Sequence, residues 1–273
     1  MMRFCRCGGV RLYYEVHGDG VPLLLISGLS GGAWSYYGQI PFLSRRYRVI
    51  SFDNRGAGQS DRPPGPYTIR QLAEDALCIL DHLGMERTLV MGLSMGGMIA
   101  QELALLAPSR VIALALGCTH HGGASRVAPS REVMGILMSN DGLTQEQIVD
   151  KNLPIFLSRR FLTEDPQGVE EYRRAQVSTD LQPEYAFQAQ LAAIVEFDCR
   201  ERLGGLRAPT LIITGTEDQL VPKENAHLLA SAIPASELVE IPGAGHALHA
   251  ECRDLLNDLV DRFFQRQLSA SRQ

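Results

Sequence analysis

The sequence has no surplus of basic residues. Lys and Arg together number 26 against 31 Asp and Glu, which gives a formal net charge of −5 and an isoelectric point near 5.8. No basic surplus is therefore available to neutralise nucleic-acid phosphates or the headgroups of an anionic membrane. The composition argues against a nucleic-acid partner and against a membrane partner.

Long apolar runs are also missing. No uninterrupted apolar stretch reaches the roughly 18 residues that a membrane-spanning helix needs. Residues 1–8 contain no apolar run of the kind found in a secretory signal. Internal repeats and low-complexity segments are absent as well. With 45% hydrophobic and 21% charged residues, the composition is typical of a globular protein. We expect a soluble, cytoplasmic protein.

Cysteine is scarce and scattered. The six cysteines are Cys5, Cys7, Cys78, Cys118, Cys199 and Cys252. Only Cys5 and Cys7 are close in sequence, and a C-x-C pair without a second pair is weak evidence for a metal site. Four of the six lie in apolar or helical segments typical of buried thiols. The cysteine pattern predicts reduced thiols and no metal.

Short apolar segments alternate with helical patterns over most of the chain. Segment 23–26 is apolar throughout, which is typical of a strand buried on both faces of a parallel sheet. Segment 69–83 has helical spacing, with Thr68 as its N-cap and Gly84 as its stop. The other predicted strands are 10–16, 47–52, 88–91, 111–116, 210–214 and 237–241, and the other predicted helices are 34–43, 97–104, 223–232 and 251–265. This alternation predicts a parallel sheet with right-handed crossovers.

The alternation stops after Thr119. Segment 120–203 contains no strand-like run, only helical patterns near 131–138, 144–157, 168–178 and 183–197. Such an insertion is best explained as a lid over the carboxyl edge of the sheet, where open sheets bind ligands. We therefore predict a core domain of residues 1–119 and 204–273 and a helical cap of residues 120–203.

A G-x-S-x-G sequence lies where a predicted strand meets a predicted helix. It spans Gly92 to Gly96 and places Ser94 at its centre. This is the setting of a nucleophile elbow, in which a sharp turn exposes the serine hydroxyl above the sheet edge. Small residues two positions before and after the serine let neighbouring chains approach closely. The pattern indicates a nucleophilic Ser94.

A nucleophilic serine needs a base, and the base needs an orienting carboxylate. In elbows of this kind the chain order is serine, then acid, then histidine. Asp218 and His246 fit this order, since each follows a predicted strand beyond the insertion. Glu217 adjoins Asp218, but the shorter side chain beyond the turn is favoured as the acid. His249 is favoured as an ordinary histidine on the first turn of the last helix.

Acyl transfer also needs N–H donors for the oxyanion. One donor is predicted to be the backbone N–H of Met95, directly after the nucleophile. The second should come from the loop after an early strand, and the glycine-rich segment 27–32 follows strand 23–26 directly. We assign this second donor to Leu29.

Taken together, the motifs resemble the α/β-hydrolase superfamily across nearly the whole chain. They are Gly28-Leu29, the turn Asp53 to Ser60, Gly92 to Gly97, Asp218 and Gly245-His246. The resemblance implies an α/β-hydrolase fold: a mostly parallel eight-stranded sheet flanked by helices, with a helical cap inserted between strands 6 and 7. It also implies no cofactor, and it implies that Arg55 and Ser60 pin loops near the elbow rather than take part in catalysis.

Within the superfamily, segments 63–68 and 92–99 look most like the group of 3-oxoadipate enol-lactonases, aryl esterases and cofactor-free haloperoxidases. Many relatives carry His-Gly in the oxyanion loop, whereas this chain has Ser27-Gly28. Carbon–carbon bond hydrolases are disfavoured, because Ala247 and not Trp follows His246.

The expected function is hydrolysis of a small, largely apolar carboxylic ester or lactone. The alternatives are ring opening of an acidic lactone, perhydrolysis with peroxide, and a hydrolase-like receptor with little turnover. An acidic lactone would need a cation, for which Arg159 or Arg160 is a candidate. The residues predicted to contact substrate are Trp34, His120, Met134, Leu137, Phe156, Phe161, Ile194 and Val221.

Overall fold

The computed structural model describes residues 3–270. Within this range the strands are β1 Phe4–Cys7, β2 Val10–His17, β3 Val21–Ile26, β4 Tyr47–Phe52, β5 Thr88–Leu93, β6 Val111–Gly117, β7 Thr210–Gly215 and β8 Ser236–Ile241. The core helices are α1 Ile40–Leu43, α2 Ile69–His82, α3 Met95–Leu106, α9 Glu224–Ala232, α10 Leu248–Glu251 and α11 Arg253–Ala270. Between β6 and β7 lie α4 Arg131–Met138, α5 Gln145–Phe156, α6 Arg159–Glu164, α7 Pro166–Gln176 and α8 Glu184–Glu196.

The eight strands form one sheet in the order β1-β2-β4-β3-β5-β6-β7-β8. β1 and β2 pair antiparallel, as do β2 and β4, whereas all pairs from β4 to β8 are parallel. The carboxyl ends of the parallel strands therefore meet at one edge, where the loops after β3, β5, β7 and β8 lie together. The predicted α/β-hydrolase sheet is confirmed.

Apolar side chains cover both faces of the sheet. Leu24 and Ile26 of β3 pack into a cluster with α2 and α3, while Leu23 and Leu25 pack on the opposite face with α1 and α11. All four side chains are fully buried. A strand that points alternate residues into two cores must be apolar throughout, which explains the unbroken run in the sequence.

Several elements differ from their sequence-based expectation. The single helix expected over 34–43 is wrong, since a 3-10 turn at Ala33–Tyr36 and the short α1 replace it. Gly38 lies between them, and Pro41 stands at the start of α1, where its missing N–H costs nothing. The short strand β1 and helix α6 were not predicted. The N-cap at Thr68 is confirmed, because its side chain accepts the Gln71 N–H at 3.0 Å.

The expectation that all cysteines are reduced is also wrong. Cys7 of β1 and Cys78 of α2 are joined by a disulfide. The free thiols are Cys5, Cys118, Cys199 and Cys252. Cys7 and Cys78 are 71 residues apart in the chain, and β1 packs directly on α2. Sequence spacing alone did not show this proximity.

The start and end of the helical segment between β6 and β7 lie side by side. Gly122 and Asp198 form an isolated antiparallel bridge. Gly123 donates its N–H to the Phe197 carbonyl, and Cys199 donates to the His121 carbonyl, each at 2.9 Å. Helices α4 to α8, called the cap below, therefore leave the core and return to it at one place.

The turn from Asp53 to Ser60 is held by a buried ion pair. Arg55 donates to both carboxylate oxygens of Asp75 on α2, at 2.8 and 2.6 Å. The Arg55 carbonyl accepts the side-chain amide of Gln190 in the cap at 2.8 Å. The Ser60 hydroxyl donates to the Asp53 carbonyl at 2.6 Å. This arrangement agrees with a pinning role for Arg55 and Ser60.

We predict that Asp75→Ala lowers the free energy of unfolding by about 3–5 kcal/mol, because it leaves the Arg55 guanidinium buried without its counter-charge. Glu74→Ala is the matched control on the same helix, since the Arg70–Glu74 pair is exposed, and it should cost about 0.5 kcal/mol or less. Urea unfolding followed by circular dichroism measures both values. Equal effects of the two substitutions would contradict the prediction.

Candidate active site

Ser94 occupies the sharp turn between β5 and α3. Its backbone has φ 56° and ψ −123°, in the left-handed region that non-glycine residues rarely adopt. Hydrogen bonds hold this conformation: the Ser94 N–H donates to the Gly117 carbonyl at 2.9 Å. The Ser94 carbonyl accepts the Thr119 hydroxyl at 2.7 Å and the Gly97 N–H at 2.9 Å. The turn therefore holds Ser94 between the last residue of β5 and the first residue of α3, at the carboxyl edge of the sheet.

The two glycines of the motif are required by close backbone contacts. A Cβ on Gly92 would overlap the carbonyl oxygen of Gly96, and a Cβ on Gly96 would overlap that of Ile26 in β3. Neither obstacle is a flexible side chain that could move aside. The G-x-S-x-G spacing thus reflects the packing of the elbow against β3.

The loops after β7 and β8 bring a carboxylate and an imidazole together. His246 Nδ1 lies 2.8 Å from Asp218 Oδ2. Asp218 Oδ1 accepts the N–H groups of Leu220 and Val221, at 2.9 and 2.8 Å. The Asp218 carboxylate is fully buried. A proton on Nδ1 satisfies this contact and leaves Nε2 unprotonated. Glu217, the alternative acid, is exposed.

The two N–H groups predicted as oxyanion donors lie at the start of α3 and in the loop after β3. Met95 is the first residue of α3, and the first N–H groups of a helix have no intrahelical acceptor. In the loop after β3, the hydrogen bonds found within residues 3–270 use the N–H groups of Ser30 and Gly31 and leave that of Leu29. Gly28 lies against Ser94, since a Cβ there would be 3.7 Å from the serine Oγ.

Ser27 supports the loop that is predicted to hold an oxyanion donor. Its hydroxyl donates to the Gly32 carbonyl at 2.7 Å and so closes the loop on itself. The Ser27 carbonyl accepts the Asn54 side-chain amide at 2.9 Å. The Tyr36 hydroxyl donates to the Ile26 carbonyl at 2.7 Å. With Ser27-Gly28 instead of His-Gly, the loop is therefore still held at both ends.

A cavity of about 580 Å³ lies between the cap and the carboxyl edge of the sheet. Ser94, His246 and Leu29 line it. Of the residues predicted to contact substrate, those that line the cavity are Trp34, His120, Met134, Leu137, Phe156, Ile194 and Val221. Phe161 does not line it, because its ring packs in an apolar cluster with Leu157 and Tyr172. Arg159 and Arg160 are exposed on α6, outside the lining.

His120 is buried in the cavity wall and uncharged. Burial, together with Arg126 and His121, lowers its pKa to about 3. Its Nδ1 accepts the Gly122 N–H at 3.0 Å, a bond that protonation would remove. His121 lies beside it, with Nδ1 2.8 Å from the Gly122 carbonyl. His120 therefore offers the cavity a neutral ring.

The cap contacts the His246 loop directly. The Ala247 N–H donates to the Phe156 carbonyl at 2.9 Å, and the Phe156 ring meets the His246 ring edge-on at 5.5 Å. Glu251 accepts the Ser158 N–H at 2.9 Å and the Gly245 N–H at 3.2 Å. Glu251 thus joins the start of α6 to the loop that carries His246, a contact that the sequence did not predict.

Cys118 is a second residue that the sequence analysis missed. Its thiol sulfur, a carboxylate oxygen of Asp218 and a ring nitrogen of His246 all lie within 4.8 Å of one another. Burial, with the nearby Asp218 carboxylate, raises the pKa of the Cys118 thiol well above its usual value. Cys118 is therefore a neutral neighbour of the Asp–His pair and not a thiolate nucleophile. Only its position after a strand, next to Thr119, hinted at this placement.

An elbow serine, an Asp–His pair and a capped parallel sheet together define the α/β-hydrolase class. Residues 21–251 match the family described as alpha/beta hydrolase fold, and the chain belongs to this family.

Individual relatives carry hydrolase names. The chain is 34% identical over 263 residues to a protein of Azorhizobium caulinodans named "Putative carbamate hydrolase RutD", covering 95% of this chain and 97% of that one. The enol-lactonase from Burkholderia xenovorans LB400 is similar in structure, with TM-score 0.84, 28% identity and coverage of 96% and 100% of the two chains. A thermophilic esterase from Thermogutta terrifontis has TM-score 0.83, 26% identity and coverage of 98% and 99%. These likenesses support hydrolase activity.

Among the residues that the structure describes, no helix is long and apolar enough to cross a membrane.

We predict that Glu251→Ala lowers the free energy of unfolding by about 1–3 kcal/mol, because it leaves two buried N–H groups without an acceptor. Glu251→Gln should cost less, since the Oε1 atom alone can accept both. Glu164→Ala is the control, an exposed carboxylate of the cap. Urea unfolding measures all three, and a Glu251→Ala variant as stable as the control would refute the bridging role.

Proposed function

We propose that the protein is a serine hydrolase that cleaves a small carboxylic ester or lactone with Ser94, His246 and Asp218. The observation that carries this proposal is the 2.8 Å contact between His246 Nδ1 and a buried Asp218 carboxylate, since His246 lines the same cavity as the elbow serine. An imidazole oriented in this way is the base that a neutral serine hydroxyl requires.

In this mechanism His246 Nε2 takes the Ser94 proton as the serine oxygen attacks the substrate carbonyl. The Met95 and Leu29 N–H groups bind the oxyanion of the tetrahedral intermediate, each worth about 3–4 kcal/mol where such donors have been removed. His246 then gives its proton to the leaving alkoxide. Water repeats the sequence on the acyl-enzyme, and Asp218 stabilises the imidazolium in both halves.

The charges around the cavity favour an uncharged substrate over an acidic lactone. Within residues 3–270, Arg126 is the one Arg or Lys that lines the cavity, and it donates to the Val195 carbonyl at 3.2 Å. Asp141, Asp180 and Glu184 also line it. A substrate carboxylate would meet more negative than positive charge there, so ring opening of an acidic lactone ranks lower.

Carbamate hydrolysis is the second candidate, and the name of the Azorhizobium relative favours it. The same attack on a carbamate carbonyl would give a carbamoyl-serine, which water then hydrolyses. The nitrogen of the carbamoyl group makes its carbonyl less reactive than that of an acyl-serine. Carbamate and ester hydrolysis therefore differ in the rate at which water attacks the covalent intermediate. Carbamates and esters of equal shape compared in one assay will separate them.

The test is steady-state hydrolysis of p-nitrophenyl esters from acetate to decanoate, small lactones and p-nitrophenyl carbamates. We expect turnover of at least one series, and Ser94→Ala should lower kcat by at least about 10⁴-fold, because it removes the nucleophile.

Ser130→Ala provides a matched control in the cap, since Ser130 is the N-cap of α4. Turnover by Ser94→Ala at the wild-type rate would refute the proposal. Tight ligand binding without turnover by wild type would favour a hydrolase-like receptor. Halogenation by wild type in the presence of peroxide and a carboxylate would favour a perhydrolase.

A further inference from the structure

Three residues in the cavity wall carry buried polar atoms without a hydrogen-bond partner in the described part of the chain. The atoms are Trp34 Nε1, Asn152 Oδ1 and both ring nitrogens of His249. All three residues line the cavity. Each unsatisfied buried group costs about 1–3 kcal/mol, so native proteins rarely leave several in one place. Unsatisfied polar groups on three residues that line one cavity indicate a place where bound molecules complete the hydrogen bonds.

The three residues are brought together by α7. This helix packs against the 3-10 turn that holds Trp34, against α5 with Asn152, and against α10 with His249. Tyr172 of α7 also lines the cavity, and its ring lies 6.0 Å from the His249 ring. The unpartnered atoms therefore belong to elements that all pack against α7.

The Trp34 ring is held in one orientation. The Cε3 and Cζ3 edge of the indole lies against Gly32, and Cζ3 also lies against Gly58. A Cβ at either glycine would overlap this edge, so both positions are kept free for the ring. Nε1 is on the opposite edge of the indole and is turned away from these two glycines.

His249 is neutral, so none of these three side chains carries a charge. Burial lowers its pKa to about 4, with His246 and Arg253 acting in the same direction. A neutral imidazole has one N–H donor and one acceptor nitrogen. With the indole N–H and the Asn152 carbonyl oxygen, the three residues offer two donors and two acceptors. A carboxylate or an ammonium group would find no counter-charge among them.

We propose that Trp34, Asn152 and His249 form a subsite for a neutral amide-type group of the substrate, one that carries both an N–H and a C=O and lies away from the bond that is cleaved. This subsite rests on the proposed function, in which Ser94 attacks the substrate carbonyl. The C=O of an amide, a carbamate or a urea group can accept from both donors, and its N–H can donate to one of the acceptors, whereas an alkyl chain would leave all four atoms unpaired. The subsite would select substrates by a polar group that the apolar remainder of the cavity cannot bind.

The kinetic test compares esters of equal shape with and without the amide. The pairs are p-nitrophenyl 3-acetamidopropanoate with 5-methylhexanoate, and p-nitrophenyl 4-acetamidobutanoate with 6-methylheptanoate. Asn152→Leu and Trp34→Phe should each lower the amide-to-alkyl ratio of kcat/KM about tenfold, which corresponds to the loss of one hydrogen bond of about 1.4 kcal/mol. Glu146→Leu, an exposed position on the same helix as Asn152, is the control and should keep the wild-type ratio.

A binding measurement gives an independent readout. Trp34 is the one tryptophan of the chain, so the tryptophan fluorescence of Ser94→Ala reports on the subsite without turnover. Titration with ethyl 4-acetamidobutanoate should shift the emission to longer wavelength more than ethyl 6-methylheptanoate does, because the indole N–H gains an acceptor. If circular dichroism shows that Asn152→Leu or Trp34→Phe does not fold, the other variant and this titration still test the subsite.

The outcomes separate the two proposals. If Ser94→Ala hydrolyses the esters at the wild-type rate, the proposed function fails and the subsite fails with it. If Ser94→Ala is inactive but the amide-to-alkyl ratio is the same in wild type, Asn152→Leu and Trp34→Phe, only the subsite is refuted. In that case the four atoms bind ordered water and do not select the substrate.

Discussion

The strained turn at Ser94 is the constraint on which the site depends. A non-glycine residue at φ 56° is tolerated because β5 and α3 hold it from both sides and the Thr119 hydroxyl fixes its carbonyl. The same turn needs Gly96 against the Ile26 carbonyl, so the elbow packs on the last residue of β3, where the loop with Leu29 begins. The proposed nucleophile and oxyanion donors thereby lie directly at the carboxyl ends of the central strands β5 and β3.

The parallel sheet then determines where the other groups lie. Asp218 and His246 come from separate loops, yet both loops follow neighbouring strands, β7 and β8, and meet at one edge. The cap closes over this edge and is joined to the histidine loop through Glu251 and the Phe156 carbonyl. The cap and the loop that carries His246 are therefore linked through a few hydrogen bonds.

The sequence predicted those parts that depend on local pattern. Apolar strands, the Thr68 N-cap and the G-x-S-x-G turn each depend on residues that lie only a few positions apart in the sequence. The Cys7–Cys78 disulfide and the contacts of Glu251 join distant segments, and no local pattern encodes them. The residues that line the cavity could be predicted only in part, as Phe161 shows. An apolar residue on a helix can face either the cavity or a neighbouring helix, and the packing of α6 on α7 determines which of the two Phe161 faces.

The most direct measurement is covalent labelling by diethyl p-nitrophenyl phosphate, followed by peptide mass mapping. An activated Ser94 should take up one diethylphosphoryl group, with release of p-nitrophenol. Asp218→Asn should slow the labelling by about 10⁴-fold, because the imidazole loses its correct tautomer. A label on another residue, or undiminished labelling of Ser94→Ala, would show that the elbow serine is not the nucleophile.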